Sequence, residues 1–116
     1  MNNAMEGFMV HGGECIQGTA RVEGAKNAVL PILAASILTE EEVVIRDCPG
    51  LRDVQAMISM LRMLGCQCEM RDGGLSIRSS ALHNWEMPDE ISKEIRSSIF
   101  LLGPILGRLR KATVTY

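Results

Sequence analysis

The stretch Gly24-Ala25-Lys26-Asn27-Ala28-Val29-Leu30-Pro31 sets a lysine and an asparagine where a strand-like segment hands over to a strongly apolar helix. A cation at a helix N-terminus opposes the macrodipole. Lys26 is therefore destabilising there unless something negative, such as a phosphate, lies between it and the free backbone N–H groups. The junction reads as a candidate anion site. The same two residues also read as a solvated lysine beside an N-capping asparagine, and the residue types alone leave both open.

Working outward, Ala25–Leu38 is expected to be a helix, with Pro31 close enough to its start to be tolerated. Upstream, Phe8–His11 and Ile16–Val22 read as two short strands around a Gly12-Gly13 turn. Downstream, Glu42–Arg46 is a strand whose run Val43-Val44-Ile45 predicts burial on both faces, and Asp47–Leu51, with Pro49-Gly50, is a turn. Arg52–Leu64 carries Val54, Met57, Ile58, Leu61 and Leu64 at spacings of three and four, with Gly65 in the helix-ending position. Asp53 suits its first turn, and Met57, Met60 and Met63 read as packing residues. Gln67–Arg71 and Leu75–Arg78 flank Asp72-Gly73-Gly74, a hairpin signal. A third helix is expected from Asp89 or Ser92 toward Arg108, buried along Ile95, Ile99, Leu102 and Leu106 and kinked by Pro104. Ala112–Tyr116 then begins a strand. Strands alternating with helices favour right-handed crossovers and a mixed α/β class.

Composition narrows the function. Of 116 residues, 47% are hydrophobic and 22% charged, which is the balance of a packed chain. A net charge of −2 and an aromatic content of 3% argue against nucleic acid, lacking both a basic field and stacking platforms. The one basic cluster, Arg108, Arg110 and Lys111, falls where helix-ending cations are common. The apolar run Ile99–Leu106 is broken by Gly103-Pro104 and is far shorter than the roughly 20 residues of a membrane span. No basic segment followed by an apolar stretch opens the chain, so a cytoplasmic location is expected. Cys15, Cys48, Cys66 and Cys68 are then expected as reduced thiols. Cys66 and Cys68 have the wrong spacing for a zinc knuckle, and no metal site is expected.

Residues 12 to 65, through Gly24 to Thr39, Glu41-Glu42-Val43-Val44-Ile45 and Leu51-Arg52-Asp53-Val54, resemble the beginning of the UDP-N-acetylglucosamine 1-carboxyvinyltransferase family. Glu94-Ile95-Arg96-Ser97-Ser98-Ile99 with Leu102-Gly103-Pro104 is similar to that family's next segment. The resemblance covers nearly the whole chain. It favours this family over the related 3-phosphoshikimate enzymes, in which serines typically flank the lysine; here Asn27 follows Lys26.

The resemblance implies transfer of an enolpyruvyl group from phosphoenolpyruvate to the 3-hydroxyl of UDP-N-acetylglucosamine, the step that opens peptidoglycan synthesis, with phosphate released and no cofactor. It implies an inside-out α/β barrel built of strand-helix repeats, of which this chain holds roughly one and a half. Residues 1–22 are expected to belong to the other domain of such a protein, and 23–116 to form a partial domain. Lys26 and Asn27 are implied at the phosphoenolpyruvate site and Arg96 at the UDP-N-acetylglucosamine site. No catalytic residue is implied within the chain: the family's proton-donating cysteine falls just after Tyr116, and none of the four cysteines here matches it. A piece of a transferase, inactive alone, is therefore expected. The alternative is a non-catalytic module that binds an anion or associates with itself through uncovered strand edges.

Overall fold

The computed structural model describes residues 6–87, 89–90 and 96–114. Helix α1 (Lys26–Ala35) runs on as a 3-10 turn over Ser36–Leu38, strand β1 is Val43–Arg46, and helix α2 is Arg52–Met63. Strands β2 (Gln67–Arg71) and β3 (Gly74–Arg78) follow; a 3-10 segment over Arg96–Leu101 leads directly into helix α3 (Leu102–Leu109). The sheet is antiparallel in the order β1-β3-β2. The class is mixed α/β, as the alternation of elements predicts.

The β2–β3 hairpin follows from its turn. Arg71 pairs with Gly74 across a two-residue connection, Asp72-Gly73, whose φ angles of 43° and 75° are both positive. Two consecutive left-handed residues match the twist of the flanking strands, which is why Asp-Gly stands there. Gly74 packs closely on the neighbouring strand: a Cβ on it would lie 3.1 Å from Val44 Cγ1 and 3.3 Å from the Ile45 carbonyl oxygen, so β1 would have to shift by a few tenths of an ångström.

The core lies between the inner sheet face and the helices. Leu75 and Ile77 of the central strand point into it, beside Cys68, and meet Val54, Met57, Ile58, Met60 and Leu61 of α2 and Val29, Leu30, Leu33 and Ala34 of α1. Each fully buried apolar side chain contributes on the order of 1.5–3 kcal/mol. Gly65 ends α2 at φ 108°, and its missing Cβ admits the following loop: a Cβ would sit 2.5 Å from His83 Nδ1 and 2.6 Å from the Ala81 carbonyl oxygen. The Leu64 carbonyl accepts the N–H groups of His83 and Asn84, so the loop closes the helix end.

Several expectations are corrected. Phe8–His11 and Ile16–Val22 form no strands; residues 6–24 run as an exposed arm with no hairpin at Gly12-Gly13. The expected pair of strands finds no third strand to lie against, and an isolated two-stranded hairpin is marginal in water. Strand β1 is not buried on both faces. It is an edge strand, Val43 and Ile45 turn inward, and Val44 is 51% exposed on an uncovered outer face.

The largest departure is in the last helix. Ile99, Leu102 and Leu106, the expected buried stripe, are exposed; Ser98, Leu101 and Ile105 are buried instead. Nearly every position there is apolar, so periodicity could not tell which stripe faces inward. Leu101 and Ile105 fill the space beside α1 and its 3-10 extension. Pro104 falls in the first turn of α3, where a missing N–H is tolerated, and the 3-10 to α change occurs between Leu101 and Leu102. Ile95 lies outside the described residues. Met63 is also exposed, unlike Met57 and Met60. Of the final strand, a single parallel bridge between Glu86 and Thr113 is present; Tyr116 lies outside the described residues.

Two members of the basic cluster near the C-terminal end, Arg108 and Lys111, are engaged within the fold. Arg108, whose side chain is only 15% exposed, donates from Nη1 to the Ile37 carbonyl at 2.6 Å and to Ser79 Oγ at 2.8 Å. From Nη2 it reaches the Ser79 carbonyl at 3.2 Å and Glu40 at 3.5 Å. Lys111 lies over the Trp85 ring, 4.4 Å from its centroid.

Candidate functional site

Lys26 is the first residue of α1, and it sits where the arm meets the body. Gly24 makes that crossing: a Cβ there would lie 2.5 Å from the Asp47 carbonyl oxygen and 3.2 Å from Pro49 Cδ. The arm is thereby seated on the β1–α2 turn, and the start of α1 comes beside the start of α2. A hollow of about 560 Å³ lies between the arm and that turn, lined by Arg21 to Gly24 and Asp47 to Gly50; Lys26, Asn27 and Asp53 do not line it. Arg21 and Asp47 approach to 3.6 Å across it, both highly exposed, so the pair adds little.

The N-terminus of α1 is bare. Its cap is Ala25, which has no side-chain acceptor, and its first turn holds no acidic residue. The Ala25 carbonyl accepts the N–H of Ala28 and Val29, but the N–H groups of the first two residues lie ahead of that pattern. Asn27 is the second residue of the helix rather than its cap, so the N-capping reading of the asparagine is not what the structure holds.

The negative group required beside Lys26 is supplied from within. Asp53, in the first turn of α2, places Oδ2 3.1 Å from Lys26 Nζ, with the two side chains 36% and 45% exposed. A carboxylate at that position serves both dipoles: it is favoured at the N-terminus of α2, and it neutralises the cation that is unfavourable at the N-terminus of α1. The Lys26-at-a-dipole argument alone thus no longer demands an external anion. Asp53 was legible only as a helix-start residue, because nothing local in the sequence connects it with a lysine in another helix.

Arg96, the third candidate, opens the 3-10 segment Arg96–Leu101, which packs against α1. Lys26, Asn27 and Arg96 are all exposed and stand on two neighbouring elements. No direct contact joins Arg96 to the Lys26–Asp53 pair among the described residues.

Two other polar features do different work. On the outer sheet face a small hollow of about 120 Å³ is lined by Glu42, Gln67, Glu69, Arg71, Ser76 and Arg78. Its charges are already matched: Arg71 binds Glu69, Arg78 lies 3.7 Å from Glu42, and the Ser76 hydroxyl donates to Glu42. That donated hydrogen bond, with the nearby arginines, holds the Glu42 carboxyl below its ordinary range. The two buried cysteines are chemically quiet. Burial pushes the Cys66 thiol up to about 12, with Cys68 adding to it, and burial pushes Cys68 to about 11. Among the described residues no group of three or more His, Cys, Asp or Glu side chains could hold a metal ion. No helix among them is long and apolar enough to cross a membrane.

The family model for EPSP synthase (3-phosphoshikimate 1-carboxyvinyltransferase) matches residues 10–116. The chain belongs to this enolpyruvyl transferase family. It is 45% identical over 116 residues to UDP-N-acetylglucosamine 1-carboxyvinyltransferase 1 of Symbiobacterium thermophilum, an alignment covering 96% of this chain and 26% of the relative. It is 44% identical over 112 residues to UDP-N-acetylglucosamine 1-carboxyvinyltransferase of Oleidesulfovibrio alaskensis, covering 97% of this chain and 27% of the relative. The chain therefore spans about a quarter of the length of the curated relatives it matches. Its fold matches the crystal structure of the enolpyruvyl transferase NikO from Streptomyces tendae with a TM-score of 0.72 at 25% identity, over 84% of this chain and 23% of that one. The incomplete enolpyruvyl transferase fold expected from the resemblance is what the structure contains.

Proposed function

We propose that these residues form part of a transferase that moves the enolpyruvyl group of phosphoenolpyruvate to the 3-hydroxyl of UDP-N-acetylglucosamine, and that they supply one wall of its substrate site. The observation that carries this reading is the match along nearly the whole chain to relatives named for that reaction, at 45% and 44% identity. Asn27 after Lys26 supports the nucleotide sugar over 3-phosphoshikimate as acceptor.

In this reading Lys26 sets its ammonium against the phosphate and carboxylate of phosphoenolpyruvate, where negative charge grows as the carbon–oxygen bond to phosphate breaks. A donor aimed at developing charge stabilises the transition state more than the ground state. Asn27, able to donate and accept, orients the enolpyruvyl carboxylate or the sugar hydroxyl. Arg96 contacts UDP-N-acetylglucosamine. Residues 1–22 pack on a second domain, and the reaction runs in the cytoplasm, where the nucleotide sugar is met. The 116 residues alone bring no general acid and turn over no substrate.

The test is a chimaera in which this chain replaces the corresponding quarter of the Symbiobacterium thermophilum relative. Phosphate release from phosphoenolpyruvate should depend on UDP-N-acetylglucosamine and not on 3-phosphoshikimate. A folded chimaera that prefers 3-phosphoshikimate would overturn the choice of acceptor.

A further inference from the structure

We propose that Asp53 is a resident counter-ion that holds Lys26 in the ligand-free site and competes with the incoming phosphate group for it. This deepens the Lys26 reading above and rests on it. Three observations converge. Lys26 and Asp53 meet at 3.1 Å while remaining 45% and 36% exposed, so the contact is reachable from solvent. The pair joins the first turns of two different helices, and neither helix has a side-chain cap. Ala25 in particular has no side-chain oxygen to offer the leading N–H groups of α1.

A half-exposed pair of single charges is weakly held, worth about 0–1 kcal/mol. A phosphate dianion brings twice the charge and several more acceptor oxygens than the carboxylate can turn toward α1. It can take Lys26 and the bare N–H groups together, whereas Asp53 reaches only the ammonium. Once the dianion is seated, Asp53 is left as a like charge close by, and the same carboxylate that ordered the lysine now opposes the ligand. Every anion must displace Asp53 from Lys26, and a dianion then meets about twice the repulsion that a monoanion does. Lys26 is the binding group; Asp53 acts through it.

The experiment titrates the 116-residue chain with inorganic phosphate at low ionic strength and neutral pH, comparing wild type with Asp53→Asn and Lys26→Ala. Asp53→Asn should tighten phosphate binding about fivefold, the scale expected when one charge is removed near a bound dianion. It should tighten chloride or acetate binding less, because a monoanion meets half the repulsion from the carboxylate, and Lys26→Ala should abolish saturable binding. In wild-type protein the Asp53 carboxyl carbon resonance should move with phosphate saturation as its partner leaves, a readout that needs no variant to fold. Phosphate binding that is unchanged or weaker in Asp53→Asn, or an Asp53 resonance that stays still while phosphate saturates, overturns the competition while leaving the Lys26 site intact. Failure of both wild type and Asp53→Asn to bind phosphate, or binding that survives Lys26→Ala, removes the Lys26 site itself and the proposal with it.

Discussion

At the scale of single residues, the sequence carries chemistry wherever one residue type has one use, and hides it wherever a role depends on a distant partner. Lys26 and Asn27 stand out in the sequence because their position at the start of an apolar helix is unusual in itself. Asp53 does not, since its bond to Lys26 crosses from α2 to α1. Arg108 is a helix-ending cation as its position suggests, but its partners Ile37, Ser79 and Glu40 are distant in sequence and could not be read from it. The cysteines followed expectation in being unpaired thiols. Their environments separate them, and a thiol reagent near pH 8 should modify exposed Cys15 rapidly while Cys66 and Cys68 react only on unfolding. Because burial raises both thiol pKa values above the ordinary 9.0, toward about 12 and about 11, the folded chain holds its thiol protons more tightly than the unfolded one. This contribution is complete below pH 9 and is lost as pH rises through the folded values, so alkaline unfolding should begin earlier than in Cys66→Ala. Four thiols reacting at one fast rate in the native protein would contradict the packing described.

At the scale of elements, regular periods and the Asp72-Gly73 turn were read correctly, and the Gly12-Gly13 turn and the uniform stretches were not. Helix α2 and the β2–β3 hairpin each state their own geometry, one through apolar spacing and the other through Asp72-Gly73. The final helix does not, because an all-round apolar surface has no preferred inward stripe until α1 is in place. Two substitutions test these elements. Gly65→Ala puts a methyl group against a backbone carbonyl at a φ of 108°, so it should cost more than about 1 kcal/mol. Its unfolding midpoint in urea should fall. Arg108→Ala leaves the Ile37 and Ser79 carbonyls without their donor, at a cost of about 1–3 kcal/mol. Arg108→Lys should recover only part of this, since a single ammonium cannot serve the same fork of acceptors. A full recovery by lysine would show that charge alone, without the guanidinium geometry, holds α3 to the rest.

At the scale of the whole molecule, the arm decides the shape. The radius of gyration is 18.1 Å, against about 13 Å for a compact chain of similar length. In residues 6–24, Phe8, Met9, Val10, Ile16 and Val22 are all more than four-fifths exposed. A second apolar surface, Ile99, Phe100, Leu102 and Leu106, lies across the 3-10 segment and α3. Alternation of strand and helix was enough to name the class, but burial of the arm could not be read from its own residues, because it depends on what else the arm meets. Surfaces of this kind associate. The 116-residue chain should therefore self-associate over a hundredfold concentration range in sedimentation equilibrium, and a chain starting at Glu23 should do so less. A monodisperse monomer throughout would show that the arm and the helix face satisfy themselves.

The central claim is that Lys26 meets phosphoenolpyruvate, and the steady-state kinetics of the chimaera test it most directly. Lys26→Ala should lower kcat/KM for phosphoenolpyruvate on the order of a hundredfold, as loss of a donor to developing charge typically does. Stability should move by no more than about 1 kcal/mol, because the Lys26–Asp53 pair is half exposed. A folded Lys26→Ala chimaera with unchanged kcat and KM would contradict the account.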